Sequence, residues 1–311
     1  MPENTNRSSI QLPPDVSSEI LQKVQEGSAV MRLARRIPLP GNGVMIPVIT
    51  GDPEAEWVGE TDNKPVSHPQ LGTKKMQAYK LAVIEPFSNE FRRDANALYT
   101  ALVGRLPNVL ATKFDKTTLG VVNKPGDNFD NFAACTAQSI LPANNGTYLG
   151  LVAADTDIAL HGGLLNGFAM GAQARGILLS ATDGTGRPLF LASASEGAVD
   201  KILGQPSHFN RGIYKAGTAA VAATQNSEAV AAAPAIVGIA GDWTKALYGT
   251  VEGVKVDISD QATLTYTDEN NQTVTLNLWQ RNMFAVRAEI EIGFRADLDC
   301  FNLLTGAVPT A

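Results

Sequence analysis

An α+β fold follows from three features of the sequence. Residues Ser88 to Leu119 place Phe91, Ala95, Leu98, Leu102, Leu106 and Leu110 at steps of three or four, on one face of a long helix. Val44 to Ile49 and Lys74 to Ile84 alternate on either side of a polar tip and read as the arms of a long hairpin. Near the C-terminus, Phe284, Val286, Ala288, Ile290, Ile292 and Phe294 alternate with Ala285, Arg287, Glu289, Glu291, Gly293 and Arg295. That pattern is a strand with one dry face and one charged face.

The chain is long enough, at 311 residues, for a sizeable core and two domains. Its 44 % hydrophobic content marks it as folded. Aromatics are only 6 % while Ala and Gly abound, which favours close backbone packing. A net charge of -6 argues against a general nucleic-acid binder. Cys135 and Cys300 lie far apart and read as reduced, buried thiols rather than a disulfide. The N-terminal stretch lacks a basic-then-apolar signal, and no apolar run reaches the roughly 18 residues of a membrane span. The expectation is a soluble compartment and no membrane partner.

Taken in order, residues 1–13 are a polar, aperiodic arm. Asp15 to Glu26 is a short helix, with Asp15 as cap, Val16, Ile20, Leu21 and Val24 on one face and Gly27 as stop. Arg32, Arg35 and Arg36 follow closely. They suit either a phosphate backbone or a solvated, salt-bridged face. Pro47 confines the next strand to an edge. The hairpin tip carries Trp57, Glu60 and the turn Asp62 to Pro65. Such a hairpin cannot bury both its faces alone, so it lies over another part of the protein or another subunit. Trp57 is its natural anchor, unless it is buried in its own domain.

The long helix starts with Ser88 as cap and Glu90 at its positive end, and Gly120 ends it. At about 1.5 Å per residue the rod is roughly 48 Å long. Pro107, with Gly104 nearby, predicts a kink or short break near residues 103–107. Residues 121–150 are loop-rich. Asp155 to Ala174 reads as a small-residue helix, and Ile177 to Leu179 as a short strand. The turn Asp183 to Gly186 lacks the Gly-Lys-Ser/Thr of a phosphate loop. The Ala-rich stretch 216–235 is a loop or a tight strand pair. Ile236 to Ala240 is a buried strand ended by Gly241-Asp242-Trp243. Val251 to Ile258, Leu264 to Tyr266 and Val274 to Leu278 alternate as strands, with a turn at Asp268 to Asn271. Phe301 and Leu303-Leu304 close the chain, and the long helix is expected to pack on the dry face of the last long strand.

The chemistry-bearing residues form no constellation. His68, His161 and His208 are dispersed with no ligand spacing, no nucleophile elbow occurs, and neither cysteine has a neighbouring histidine. The expectation is no enzyme, no catalytic residues, no cofactor and no metal.

A set of short motifs nonetheless runs through the chain. They are Pro14 with Ile20-Leu21 and Ser28, Ile46-Pro47, Ala55-x-Trp57-Val58-x-Glu60, Lys80-Leu81 leading to Ser88-x-Glu90, Leu203-Gly204-x-Pro206, Gly241-Asp242-Trp243, and Val286-Arg287-Ala288-x-Ile290. In this order, with an arm, a long two-stranded loop, a long helix, a middle domain and a final strand, the chain resembles the major capsid protein of tailed double-stranded DNA phages. Encapsulins share that fold. The resemblance implies an N-terminal arm (1–36), an extended two-stranded loop (37–84), a peripheral domain with a long spine helix (85–149 and 269–311) and an axial domain (150–268). It further implies pentamers and hexamers of an icosahedral head that encloses double-stranded DNA without sequence specificity.

Inter-subunit contacts are then expected at Trp57, Glu60, Lys64, Arg92 and Arg93, and contacts to DNA or scaffold at Arg32, Arg35 and Arg36. The expected partners are copies of the chain, a separate scaffolding protein or none, since Met1 leaves no room for a fused one, a portal and a decoration protein. The expected place is the virion capsid, after assembly in the host cytoplasm. Lys64, Lys74 and Lys75 lie on or near the loop, but isopeptide crosslinks are not expected. Two other readings stand beside this one, an encapsulin-type compartment shell and a monomeric enzyme or binding domain.

Overall fold

The computed structural model describes residues 14–51, 57, 70–90, 95–141, 146–183, 185–190, 201–220, 231–268 and 270–307. Helix α1 (Pro14–Gly27) opens on a proline, which has no N–H to leave unpaired in a first turn. It buries Ile20 and Val24, one turn apart. A tight step at Ser28 leads into α2 (Ala29–Leu33) and β1 (Arg35–Pro38). Strands β2 (Val44–Gly51) and β3 (Gln70–Met76) pair antiparallel, Val44 opposite Met76 and Pro47 opposite Thr73, as a two-stranded ribbon separate from the larger sheets.

The return arm of this hairpin is β3 alone. Residues Tyr79 to Ile84, expected to extend it, belong instead to β4 (Tyr79–Ser88), which pairs with the last long strand. Alternation reports a strand but not its partner, and Ser88 continues the same alternation. Ser88 therefore ends β4 rather than capping the long helix. That helix is α3 (Ala95–Thr118), about 36 Å long, and it runs unbroken through Pro107. Leu106, Leu110, Ala111 and Phe114 bury its face, and this packing outweighs the hydrogen bond that the proline removes. Gly120 ends the segment at φ +79°. Phe91 and Arg92 lie outside the described residues.

The middle of the chain differs most from expectation. After β5 (Thr136–Ser139), α4 (Gly146–Leu160) ends where Gly162 takes φ +70°. The next segment is a buried strand, β6 (Gly167–Gly171), and α5 (Ala172–Ser180) follows directly. The single helix expected over 155–174 is thus three elements, and Ile177 to Leu179 is helical. Short runs of small apolar residues carry no period that separates a buried strand from a helix. The chain continues with β7 (Lys201–Ile202), β8 (Gln205–Asn210), β9 (Ile236–Gly241), β10 (Ala246–Thr250), β11 (Lys255–Ser259), β12 (Thr263–Thr267), β13 (Thr273–Asn277), β14 (Met283–Ala296) and β15 (Phe301–Thr305). Residues 251–254, expected within a strand, form the bend between β10 and β11.

Strand β14 organises the first sheet. β4 pairs along it from Met283 to Ile292, while β10 and β11 follow one another down its second half and first half, and β1 adds parallel to β10. Its expected dry face is buried at every position from Phe284 to Phe294, and its polar face carries Arg287 bonded to Asp257 at 2.7 Å. Phe114 of α3 meets Phe294 edge-on at 6.0 Å, so the long helix packs where expected, with α1 laid against it. The second sheet runs β5-β15-β9-β6-β8-β7 and buries Phe168, Met170, Ile158 and Leu178 against α4 and α5. Cys135 and Cys300 are free thiols. No helix among the described residues is long and apolar enough to cross a membrane.

Candidate inter-subunit surface

Trp57 is fully exposed, which excludes burial in its own domain. Glu60, Lys64, Arg92 and Arg93 lie outside the described residues. The three arginines near the N-terminus do not converge. Arg32 is exposed on α2, whereas Arg35 and Arg36 are neighbours on β1 and so project to opposite sides of the strand. The Arg36 guanidinium donates to the Thr250 hydroxyl at 3.3 Å.

A surface that the sequence did not advertise lies on α4. This helix carries only two charged residues, Asp155 and Asp157, both in its second half. It buries Leu151, Ala154 and Ile158 against the second sheet and leaves Tyr148, Leu149 and Leu160 in solvent. A surface helix ordinarily turns charge outward. Leu160 is 79 % exposed and Leu164, just past the helix, 75 %. The loop that carries Leu164 is pinned from below. Asp242 accepts hydrogen bonds from the Leu164 N–H (3.0 Å), the Asn166 amide (2.9 Å), and the Thr244 N–H (3.1 Å) and hydroxyl (2.6 Å). Partial burial pushes its carboxyl up, but the bonds from Thr244 and Leu164 outweigh that and hold it below the usual carboxylate range. Trp243 donates its indole N–H to the Gly167 carbonyl at 2.9 Å. The Gly-Asp-Trp motif therefore fixes an apolar knob in place.

Two polar anchors tie the N-terminal segment and the hairpin to the body. The first centres on Asp115 of α3, fully buried beneath α2. It accepts from the Ser28 hydroxyl (2.5 Å), the Ala29 N–H (3.1 Å) and the Asn210 amide (2.6 Å) at the end of β8. Asn210 also donates to the Gly27 carbonyl. Ser28 meanwhile caps α2 by accepting from the Met31 N–H. In the second anchor, Arg295 on β14 pairs with Asp130 at 2.6 Å and donates to the Lys75 carbonyl at 2.8 Å. That contact holds the base of the hairpin.

Burial pushes the Asp115 carboxyl up to about 7, against the lowering effect of its bonds from Ser28, Ala29 and Val30. The folded chain therefore holds this proton more tightly than the unfolded chain. The stabilisation is complete below about pH 4 and is lost as pH rises through about 7. Between about pH 5 and pH 8 the urea midpoint of the native chain is expected to fall more steeply than that of Asp115→Asn. Parallel profiles for the two chains would contradict this assignment.

Residues 9–292 match the model of the family described as "Phage capsid family". The chain belongs to the phage capsid family. It is 27 % identical to the probable major capsid protein gp17 of Mycobacterium phage L5, a match that covers 96 % of this chain and 90 % of that one. It is 26 % identical to the major capsid protein of Staphylococcus phage 80alpha, over 94 % and 84 %. Solved structures from Mycobacterium phage Ogopogo (TM-score 0.66, 16 % identity, 90 % of this chain and 92 % of that one) and Gordonia phage Cozz (TM-score 0.64, 21 % identity, 91 % and 87 %) share the fold. The fold is that of tailed-phage major capsid proteins, and this capsid-family chain is a structural, shell-forming component of the virion capsid.

Proposed function

We propose that this capsid protein forms pentamers and hexamers of an icosahedral head that encloses double-stranded DNA. The observation that carries the reading is a set of large apolar side chains, Leu160, Leu164 and Trp57, held in solvent on a chain of the capsid family. A monomer gains nothing from such exposure, whereas burial between copies contributes about 1.5 to 3 kcal/mol per leucine. In this reading residues 1–36 are the arm and 37–84 the extended loop, whose last residues, 79–84, already run within β4 of the first sheet. Residues 85–149 with 269–311 are the peripheral region and 150–268 the axial region. The first sheet draws β10 and β11 from the axial region, and the second joins the peripheral β5 and β15 to the axial β9, β6, β8 and β7, so the two regions meet within both sheets.

Glu60, Lys64, Arg92 and Arg93 join Trp57 as contacts to neighbouring subunits. A scaffolding protein, a portal, decoration proteins and packaged DNA complete the partners, and assembly takes place in the host cytoplasm. Native mass spectrometry of the purified chain tests the assembly state. Masses of five and six copies support the proposal, and a single-copy mass at every protein concentration would count against it.

A further inference from the structure

The second half of α3 borders an open groove of about 660 Å³, closed on its other sides by the end of α1 and the turn after β8. Lys113, Lys116 and Arg211 line it together with Asn108, Thr112 and Asn210, and among the described residues no carboxylate does. This is a concentrated positive site on a chain whose net charge is -6. Among the described residues, no ion pair holds any of the three cations.

The groove is also rigidly built. Asn210 is tied to Asp115 beneath it, and its side-chain oxygen accepts from the Gly212 N–H at 3.0 Å. Gly212 packs so closely on α3 that a Cβ there would stand 2.7 Å from the Asp115 Cβ and 3.0 Å from the Thr112 carbonyl oxygen. Arg211 sits between these two fixed neighbours and lines the groove. Lys113 and Lys116 stand on the facing helix, one turn apart.

We propose that this groove binds the phosphate backbone of packaged double-stranded DNA. The inference rests on the shell reading above and names the surface that meets the genome. Phosphodiesters are held by cations and neutral hydrogen-bonding side chains, as found here, and such contacts carry no sequence information. Protein interfaces are typically built around an apolar centre with aromatic anchors, whereas Val109 is the one large apolar residue among the described residues lining the groove. The groove also differs from Arg35 and Arg36, which strand geometry sends to opposite faces.

The test is fluorescence anisotropy of a labelled DNA duplex titrated with the full chain across about 50 to 200 mM salt. The triple variant Lys113→Gln, Lys116→Gln, Arg211→Gln is expected to bind at least about tenfold more weakly at low salt. Its salt slope should be shallower by about 2 to 3. Lys113→Arg with Lys116→Arg should keep both. Should the triple variant fail to melt cooperatively, Lys113→Gln alone is expected to lose about one unit of slope. Equal affinity and slope for the native and variant chains would overturn the proposal. So would variant binding unchanged for DNA but lost for polyglutamate, which would assign the groove to an acidic protein. Native masses of both chains, read alongside, isolate the shell reading. A native chain that forms no capsomers, also when other head proteins are co-expressed, defeats that reading whatever the duplex shows.

Discussion

A chain carrying Leu160→Glu and Leu164→Glu is expected to fold normally and to form no shells. Both side chains are at least 75 % exposed, so the substitutions remove little burial within the subunit. Exposed replacements of this kind change stability by about 0.5 kcal/mol or less. Between copies the balance reverses. Two leucines contribute about 1.5 to 3 kcal/mol each when buried, and a carboxylate in their place must be desolvated without a partner. The effect repeats at every equivalent contact of a symmetric ring. Circular dichroism and thermal melting should match the native chain, while sedimentation shows subunits or small oligomers alone. Shells of normal yield from the double variant would remove this knob from the interface.

Phe294→Ala is expected to produce the largest loss of subunit stability. The ring is fully buried and touches three others, Phe132 at 5.5 Å, Phe129 at 5.9 Å and Phe114 at 6.0 Å between centroids. Phe132 continues the cluster to Phe301 of the second sheet at 4.8 Å and to Trp243 at 5.9 Å. The cavity would therefore open where α3 and both sheets meet. Truncations of this kind cost about 3 to 5 kcal/mol, with edge-on aromatic pairs adding about 0.5 to 1.5 kcal/mol each. Against a net stability of about 5 to 15 kcal/mol that is a large fraction. Denaturant unfolding should show the loss directly, and a change below about 1 kcal/mol would contradict the packing described.

How much of this was legible depended on how far each signal reaches along the chain. Strand β14 was readable because its alternation is sharp and long, with charge on one face and bulk on the other. The body and end of α3 were readable from its apolar stripe and from Gly120. Its start was not, because the alternation of β4 runs on through Phe87 and Ser88 without a break. The region 155–174 misled because Gly and Ala are apolar towards every neighbour and mark no face.

The anchors were invisible for a different reason. Asp115 meets Ser28 and Asn210 across separations of 87 and 95 residues, and a lone carboxylate beside Phe114 is the single local hint. The groove cations were equally ordinary in sequence, since Arg211 reaches α3 only through the close approach of Gly212. The motif Gly241-Asp242-Trp243 is plain in the sequence, but its reason lies in loop contacts to Leu164 and Asn166.

Copies of this chain are expected to close into a shell. Negative-stain electron microscopy of the purified protein, with sedimentation of the same sample, tests this most directly. The expected images are closed icosahedral shells or free pentamers and hexamers, with matching fast-sedimenting boundaries. A homogeneous monomer at every concentration and ionic strength, and also when other head proteins are co-expressed, would contradict it.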